Sequence, residues 1–208
     1  MTLDHALTGL NDHLRGALPP EISEVLEADR RRAAGTKFAD IGTEIEDFEL
    51  PGVDGTKTSL SELVAEGPAV LVFYRGQWCP YCNLTLRTYQ QEVLPELAKS
   101  GATLVAISPQ RPDGALPDLA FPVLSDVGST VARGLGLSYP VSEPVREAML
   151  ALGMDLEEVN GTWELVHPAV VVVGRDRVLR FVDVHPDFVT RTEPADILEA
   201  VKSLWRHV

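Results

Sequence analysis

Val70 to Cys82 reads V-L-V-F-Y-R-G-Q-W-C-P-Y-C and holds both cysteines of the chain, three positions apart. The apolar run from Ala69 to Phe73 predicts a buried strand, and Gly76 interrupts it. Pro80 directly follows Cys79, at the position where a new helix accepts proline because its first amides have no intrahelical partner. Cys79 is therefore expected at the N-cap, where unpaired amides and the helix dipole favour a thiolate. Its pKa should then lie below the value of roughly 8.5 for a free thiol. Cys82, one turn on, is placed to attack an oxidised Cys79 and close an intrachain disulfide.

Strands and helices follow in an ordered series on either side. F-E-L at Phe48 to Leu50 and the Asp54-Gly55 turn signal precede Ser59 and Glu62, which are spaced as a capping box. After Cys79 a helix is expected to about Lys99, kinked or ended by Pro95. Ala102 to Ser108 is a second buried strand, so strand, helix and strand imply a parallel pair with a right-handed crossover and the cysteines at the carboxyl end of the first strand. Pro109 to Pro122 reads as a loop, Val123-Leu124 as a brief strand, and Val131-Ala132 and Ser142 to Leu152 as helical. Ala169 to Val173 and Val178 to Val184 flank G-R-D-R and predict an antiparallel hairpin. Thr192-Glu193-Pro194 opens a terminal helix.

Residues 1–40 form a separate N-terminal arm in this reading, with a domain over 41–208. Leu3, Leu7, Leu10, Leu14 and Leu18 make the stripe of one amphipathic helix, and Ile22, Val25 and Leu26 that of a second, begun near Pro20 and stopped at Gly35. Such stripes usually cover a core, and a homodimer contact is the alternative. No catalytic role is expected of the arm.

The chain has 208 residues, 45% hydrophobic and 24% charged, as an ordinary globular protein does. Its 31 acidic and 18 basic side chains give a net charge of -13, which disfavours nucleic acid and anionic membrane surfaces as partners. With neither a signal-like start nor a long apolar segment, a cytoplasmic location is expected. In a reducing cytosol the cysteine spacing points to redox chemistry or half a metal site. His5, His13, His167, His185 and His207 do not stand in ligand spacing, so neither a metal nor a bound cofactor is expected.

The order of elements, W-C-P-Y-C after the first core strand and His167-Pro168 before the hairpin resemble the thioredoxin fold, an α/β fold with a central mixed sheet flanked by helices. F-E-L-P-G-V-D-G, A-I-S-P-Q, L-S-D-V-G and P-A-V-V-V-V-G-R-D narrow the resemblance to peroxiredoxin-like proteins of the alkyl hydroperoxide reductase and thiol-specific antioxidant (AhpC/TSA) superfamily. It implies Cys79 as the attacking cysteine, Cys82 as the resolving one and Pro168 as a cis-proline facing them. The activity implied is reduction of hydroperoxides, with an external dithiol such as thioredoxin restoring the pair. A thioredoxin-like exchange with disulfides and a non-enzymatic redox sensor are the alternatives.

The chain departs from the family pattern at three places. Val72 and Gly76 stand where typical peroxiredoxins carry proline and threonine or serine, and Pro168 falls about where they carry arginine. Phe73 replaces the buried aspartate of thioredoxins. Arg75 and Arg87 are the candidates to replace the missing guanidinium, His167 is a candidate base, and Trp78 is expected to pack over the disulfide.

Overall fold

The computed structural model describes residues 2–32, 37–112 and 118–205. Strand β3 (Ala69–Phe73) is buried along its whole length, as a strand covered on both faces must be. It pairs in parallel with β4 (Thr103–Ser108) and antiparallel with β8 (Ala169–Val173). With β5 (Val123–Ser125) and β9 (Leu179–Val184) these form a five-stranded mixed sheet in the order β5-β4-β3-β8-β9. A small hairpin of β1 (Glu49–Pro51) and β2 (Lys57–Ser59) precedes it.

Side chains alternate across the sheet and divide the core in two. Val70 and Val72 face α1 (Leu3–Ala17), α4 (Pro80–Glu92), α5 (Leu94–Ser100) and α9 (Pro194–Trp205), which contribute Leu7, Tyr89, Leu97 and Ile197. Leu71 and Phe73 face the opposite cluster, with α3 (Leu60–Leu63) and α6 (Thr130–Gly134) supplying Leu60 and Ala132. A third cluster joins Val145 and Met149 of α7 (Glu143–Ala151) and Leu156 of α8 (Leu156–Asn160) to Val25 and Leu26 of α2 (Pro20–Arg32).

Local chemistry sets many of the boundaries. Ser59 and Glu62 form the expected capping box, the Ser59 amide donating to Glu62 Oε2 at 2.7 Å. The helix after Cys79 breaks at Val93, and Pro95 lies in the first turn of α5, where its missing N–H costs no hydrogen bond. Leu3 and Leu7 are buried against the sheet and α4, so the leucine stripe is largely occupied within a single chain. The expected stop of α2 at Gly35 and the middle of the Pro109 to Pro122 loop lie outside the described residues.

One expectation is corrected. The described residues contain no cis peptide bond, so Pro168 is trans. Its carbonyl accepts the His185 amide at 2.8 Å just before β8, so an extended backbone entering the sheet occupies the place where the resemblance implied a cis turn. The short strands β6 (Ser138–Pro140) and β7 (Glu164–Val166), paired antiparallel, and helix α8 were not anticipated.

Candidate active site

Beyond Phe73 the chain turns at Gly76, whose φ of +136° lies outside the range that L side chains readily adopt. A Cβ there would come within 2.5 Å of Trp78 Nε1 and 2.8 Å of Gln110 Oε1. Gln110 Oε1 also accepts the Gln77 amide at 2.7 Å, and the Cys79 amide donates to the Gly76 carbonyl at 3.2 Å. This compact turn sets Cys79 at the N-cap of α4, with Pro80 directly after it. The hydroxyl that typical peroxiredoxins carry at this place cannot be restored without moving Trp78. Gly76→Thr is accordingly expected to cost about 1–3 kcal/mol of stability in denaturant unfolding.

Cys79 is 2% exposed and Cys82 is fully buried, and both are free thiols. The donors converge on Cys82. Arg191 Nη2 donates to its Sγ at 3.3 Å, and the Arg75 backbone amide and the Cys79 thiol lie close enough to bear on its charge. Burial alone would raise the Cys82 pKa, but the hydrogen bond from Cys79, the Arg191 charge and the Arg75 amide together bring it down to about 5. Cys79 moves the other way. Burial first, then its bond to Cys82 and the charge there, push it well above the ordinary range, against the opposing charges of Arg75 and Arg191. The expected fall in the Cys79 pKa is thus corrected: its sulfur makes no capping hydrogen bond at the helix end, and the Arg191 guanidinium donates to its neighbour instead. The two sulfurs titrate as a pair holding one proton between them over a wide pH range.

Two guanidinium groups serve this anion. Arg191, 8% exposed, is held by donating to the carbonyls of Phe188 at 2.5 Å and Thr190 at 2.6 Å. Arg75, 5% exposed, lies over the rings of Trp78 at 5.1 Å and Phe188 at 4.8 Å. Burial opposes its charge, but Tyr139, both cysteines and Asp29 keep it cationic. Arg75 is therefore at the site as anticipated, whereas Arg87 is exposed on α4 and takes no part. Arg191 was missed, and its separation of 109 residues from Cys82 left no pattern by which it could have been found.

His167 and Pro168 do not take the places expected of them. His167 is 1% exposed, stacked on Tyr139 with centroids 4.2 Å apart and edge-on to Phe38 at 5.5 Å. Burial, then the Arg75 charge, lowers its pKa to about 4, and neither ring nitrogen bonds to a sulfur. It is a neutral aromatic packing residue here, and the expected base role is corrected. Pro168 directly precedes Ala169, which pairs with Phe73 at the end of β3.

A cavity of about 310 Å³ opens onto Cys79 between the core and the two N-terminal helices. Leu14, Leu18 and Leu26 of the helical segment face Trp78, Met149 and Phe188 across it. Cys82 lines a separate void of about 10 Å³, beside Tyr74 and Arg191. Of the two cysteines, Cys79 is the one that lines the larger cavity.

The AhpC/TSA family model matches residues 41–182. Two Mycobacterium tuberculosis proteins with provisional peroxiredoxin names, from strains CDC 1551 and H37Rv, are each 35% identical over 101 residues. That match covers 46% of this chain, and the chain spans 65% of the length of those relatives. Peroxidoxin BcpB of Mycobacterium tuberculosis superposes with a TM-score of 0.61 at 25% identity, over 79% of this chain and 97% of that one. Peroxiredoxin 6 of Arenicola marina gives 0.62 at 19% identity, over 80% and 74%. The reduced 2-Cys peroxiredoxin of Plasmodium vivax gives 0.62 at 12% identity, over 81% and 83%.

Proposed function

The chain belongs to the AhpC/TSA family, and on that premise we propose that it is a thiol-dependent peroxidase in which Cys79 attacks a hydroperoxide and Cys82 resolves the product. The observation that carries this reading is the geometry of the cysteine pair: Cys79 lines the apolar cavity, and Cys82, one turn on, takes a hydrogen bond from Arg191 Nη2 at 3.3 Å. The hydrogen bond from the Cys79 thiol to the Cys82 sulfur is the path by which charge reaches the attacking atom. As Cys79 closes on the terminal peroxide oxygen, its proton passes to Cys82. A sulfur–oxygen bond forms, the oxygen–oxygen bond breaks, and the departing alkoxide takes that proton to become the alcohol. Cys82, again a thiolate, attacks the Cys79 sulfenic acid. Hydroxide leaves and is protonated by solvent to water, and the disulfide remains.

Arg75 and Arg191 stabilise the sulfur anion without the threonine and arginine of the usual family pattern. An external dithiol, of which thioredoxin is the natural type, returns two electrons and two protons by exchange at Cys79. A reducing compartment such as the cytoplasm suits a cycle that starts from two free thiols.

The test is intact mass. One equivalent of tert-butyl hydroperoxide added to the reduced protein should remove two hydrogens and release one equivalent of alcohol. An unchanged mass, with rapid disulfide formation on adding oxidised thioredoxin instead, would make the protein a thiol–disulfide oxidoreductase.

A further inference from the structure

The two N-terminal helices lie outside the family-matched residues, yet they form one wall of the cavity over Cys79. That wall is built into the fold at several points. Leu3 and Leu7 anchor α1 in the core, and the Glu193 carboxylate accepts its first amides, from Leu3 at 3.1 Å and Asp4 at 2.7 Å. Also lining the cavity, Tyr81 of α4 donates its hydroxyl to Asn11 Oδ1 at 3.1 Å. Helix α2 is fixed in turn by Val25 and Leu26 against α7. Despite these ties the space between arm and core stays open, and its wall is mostly apolar, with Arg75 and Asn11 among the polar exceptions.

Size and chemistry identify what fits. At about 310 Å³ the cavity falls at the lower end of small-molecule sites, which run from roughly 300 to 1,000 Å³. Hydrogen peroxide, with two oxygens, needs about twice the share of one water, or roughly 60 Å³, and would leave most of the apolar wall wetted. A hydrocarbon or aromatic body would cover that wall, and the unbranched Met149 side chain can adjust to its shape. At the rim Arg15 Nη1 lies 3.8 Å from Glu27 Oε1, so the cation there already faces a carboxylate. Arg75, the other cation of the lining, lies over the Trp78 and Phe188 rings and is already balanced by the cysteine pair, and on a chain of net charge -13 this favours an uncharged body over an anionic one.

We propose that the N-terminal helices complete a substrate pocket on Cys79 that selects hydroperoxides with an uncharged, apolar body over hydrogen peroxide, with Leu14 and Leu26 as specificity-determining residues. This rests on the peroxidase reading above. The apolar body occupies the space between Leu14, Leu26 and Met149 and directs the terminal peroxide oxygen to the Cys79 sulfur. Sulfur–oxygen bond formation then expels the body as a neutral alcohol, once the alkoxide has taken up its proton.

The experiment compares kcat/KM for cumene hydroperoxide and hydrogen peroxide in the full-length protein, in Leu26→Trp and in Leu14→Trp. The wild-type protein should favour cumene hydroperoxide at least tenfold, and each tryptophan should lower that ratio by roughly tenfold, within the range that apolar pockets discriminate. A wild-type ratio near one, or a ratio that neither tryptophan moves, would overturn the proposal. Binding is read separately with methyl-labelled methionine, since the chain has three methionines and Met149 and Met154 both line the cavity. The product alcohol, 2-phenyl-2-propanol, should shift those two methyl signals saturably, and Leu26→Trp should abolish the shift. If neither peroxide reacts while the methyls still shift, the peroxidase reading fails and the apolar ligand site stands. Absence of a saturable shift overturns the pocket itself.

Discussion

Cys79→Ser is expected to lose its reaction with hydroperoxides by a factor on the order of 10⁴ or more, the scale on which an enzyme loses its nucleophile. Cys82→Ser should behave differently. That variant keeps the cysteine that lines the larger cavity, and it still forms the sulfenic acid, but it stops there, one oxygen heavier and with no disulfide. It should also form the sulfenic acid more slowly at neutral pH, because the thiolate that accepts the Cys79 proton is gone. Stopped-flow Trp fluorescence, with Trp78 directly before Cys79, gives the rates, and intact mass identifies the end states. If Cys79→Ser reacted as fast as wild type, Cys82 would be the attacking sulfur and the proposed roles would be reversed.

The second large effect is expected from Arg191→Met, which keeps an aliphatic stem and removes the charge. A guanidinium beside an acid typically lowers its pKa by roughly 1–3 units, so its loss should raise the first ionisation of the cysteine pair by a similar amount. At about pH 6, a rise from about 5 toward 7 cuts the thiolate fraction, and with it the peroxide rate, roughly tenfold, and the rate recovers at higher pH. Ultraviolet titration of the thiolate reads the shift directly. Stability should move with it. The first ionisation of the pair, lowered from 9.0 to about 5 on folding, stabilises the native state most near the higher value; this contribution is lost as pH falls toward the lower one, and the raised Cys79 ionisation withdraws it again at still higher pH. Reduced wild-type protein should therefore lose stability to urea as the pH falls across that interval, and Arg191→Met should show a flatter dependence over its lower part. An unchanged titration in the variant would mean that Arg191 does not carry the anion.

Much of this architecture is legible because it rests on local rules. The apolar run Ala69 to Phe73 can bury both faces only at the centre of a sheet, and it lies there between β4 and β8. Pro80 after Cys79 and Pro95 after Leu94 each mark a first helical turn, and Ser59 with Glu62 marks another. What was not legible depends on approaches between distant segments. Arg191 meets Cys82 through the loop before α9, and no spacing rule connects them. The β6–β7 pair is only three residues long on each strand, too short for alternation to stand out. His167 resembles a base in sequence but is enclosed by Tyr139 and Phe38, from elements far from it in the chain. Of the N-terminal stripe, Leu3 and Leu7 enter the core, while the outer positions Leu14 and Leu18 border the cavity at Cys79.

The most direct test of the central claim is to locate the first oxidised sulfur. Reduced wild-type protein, mixed with one equivalent of hydroperoxide in the presence of dimedone and digested, would be mapped by mass spectrometry of the peptide spanning Gly76 to Leu86. The account predicts a dimedone adduct on Cys79, increasing when Cys82 is replaced by serine, because the cavity delivers the peroxide to Cys79 while the charge is drawn from Cys82. An adduct on Cys82 in the wild-type protein would contradict it, since the sulfur that holds the anion would then also be the one that attacks.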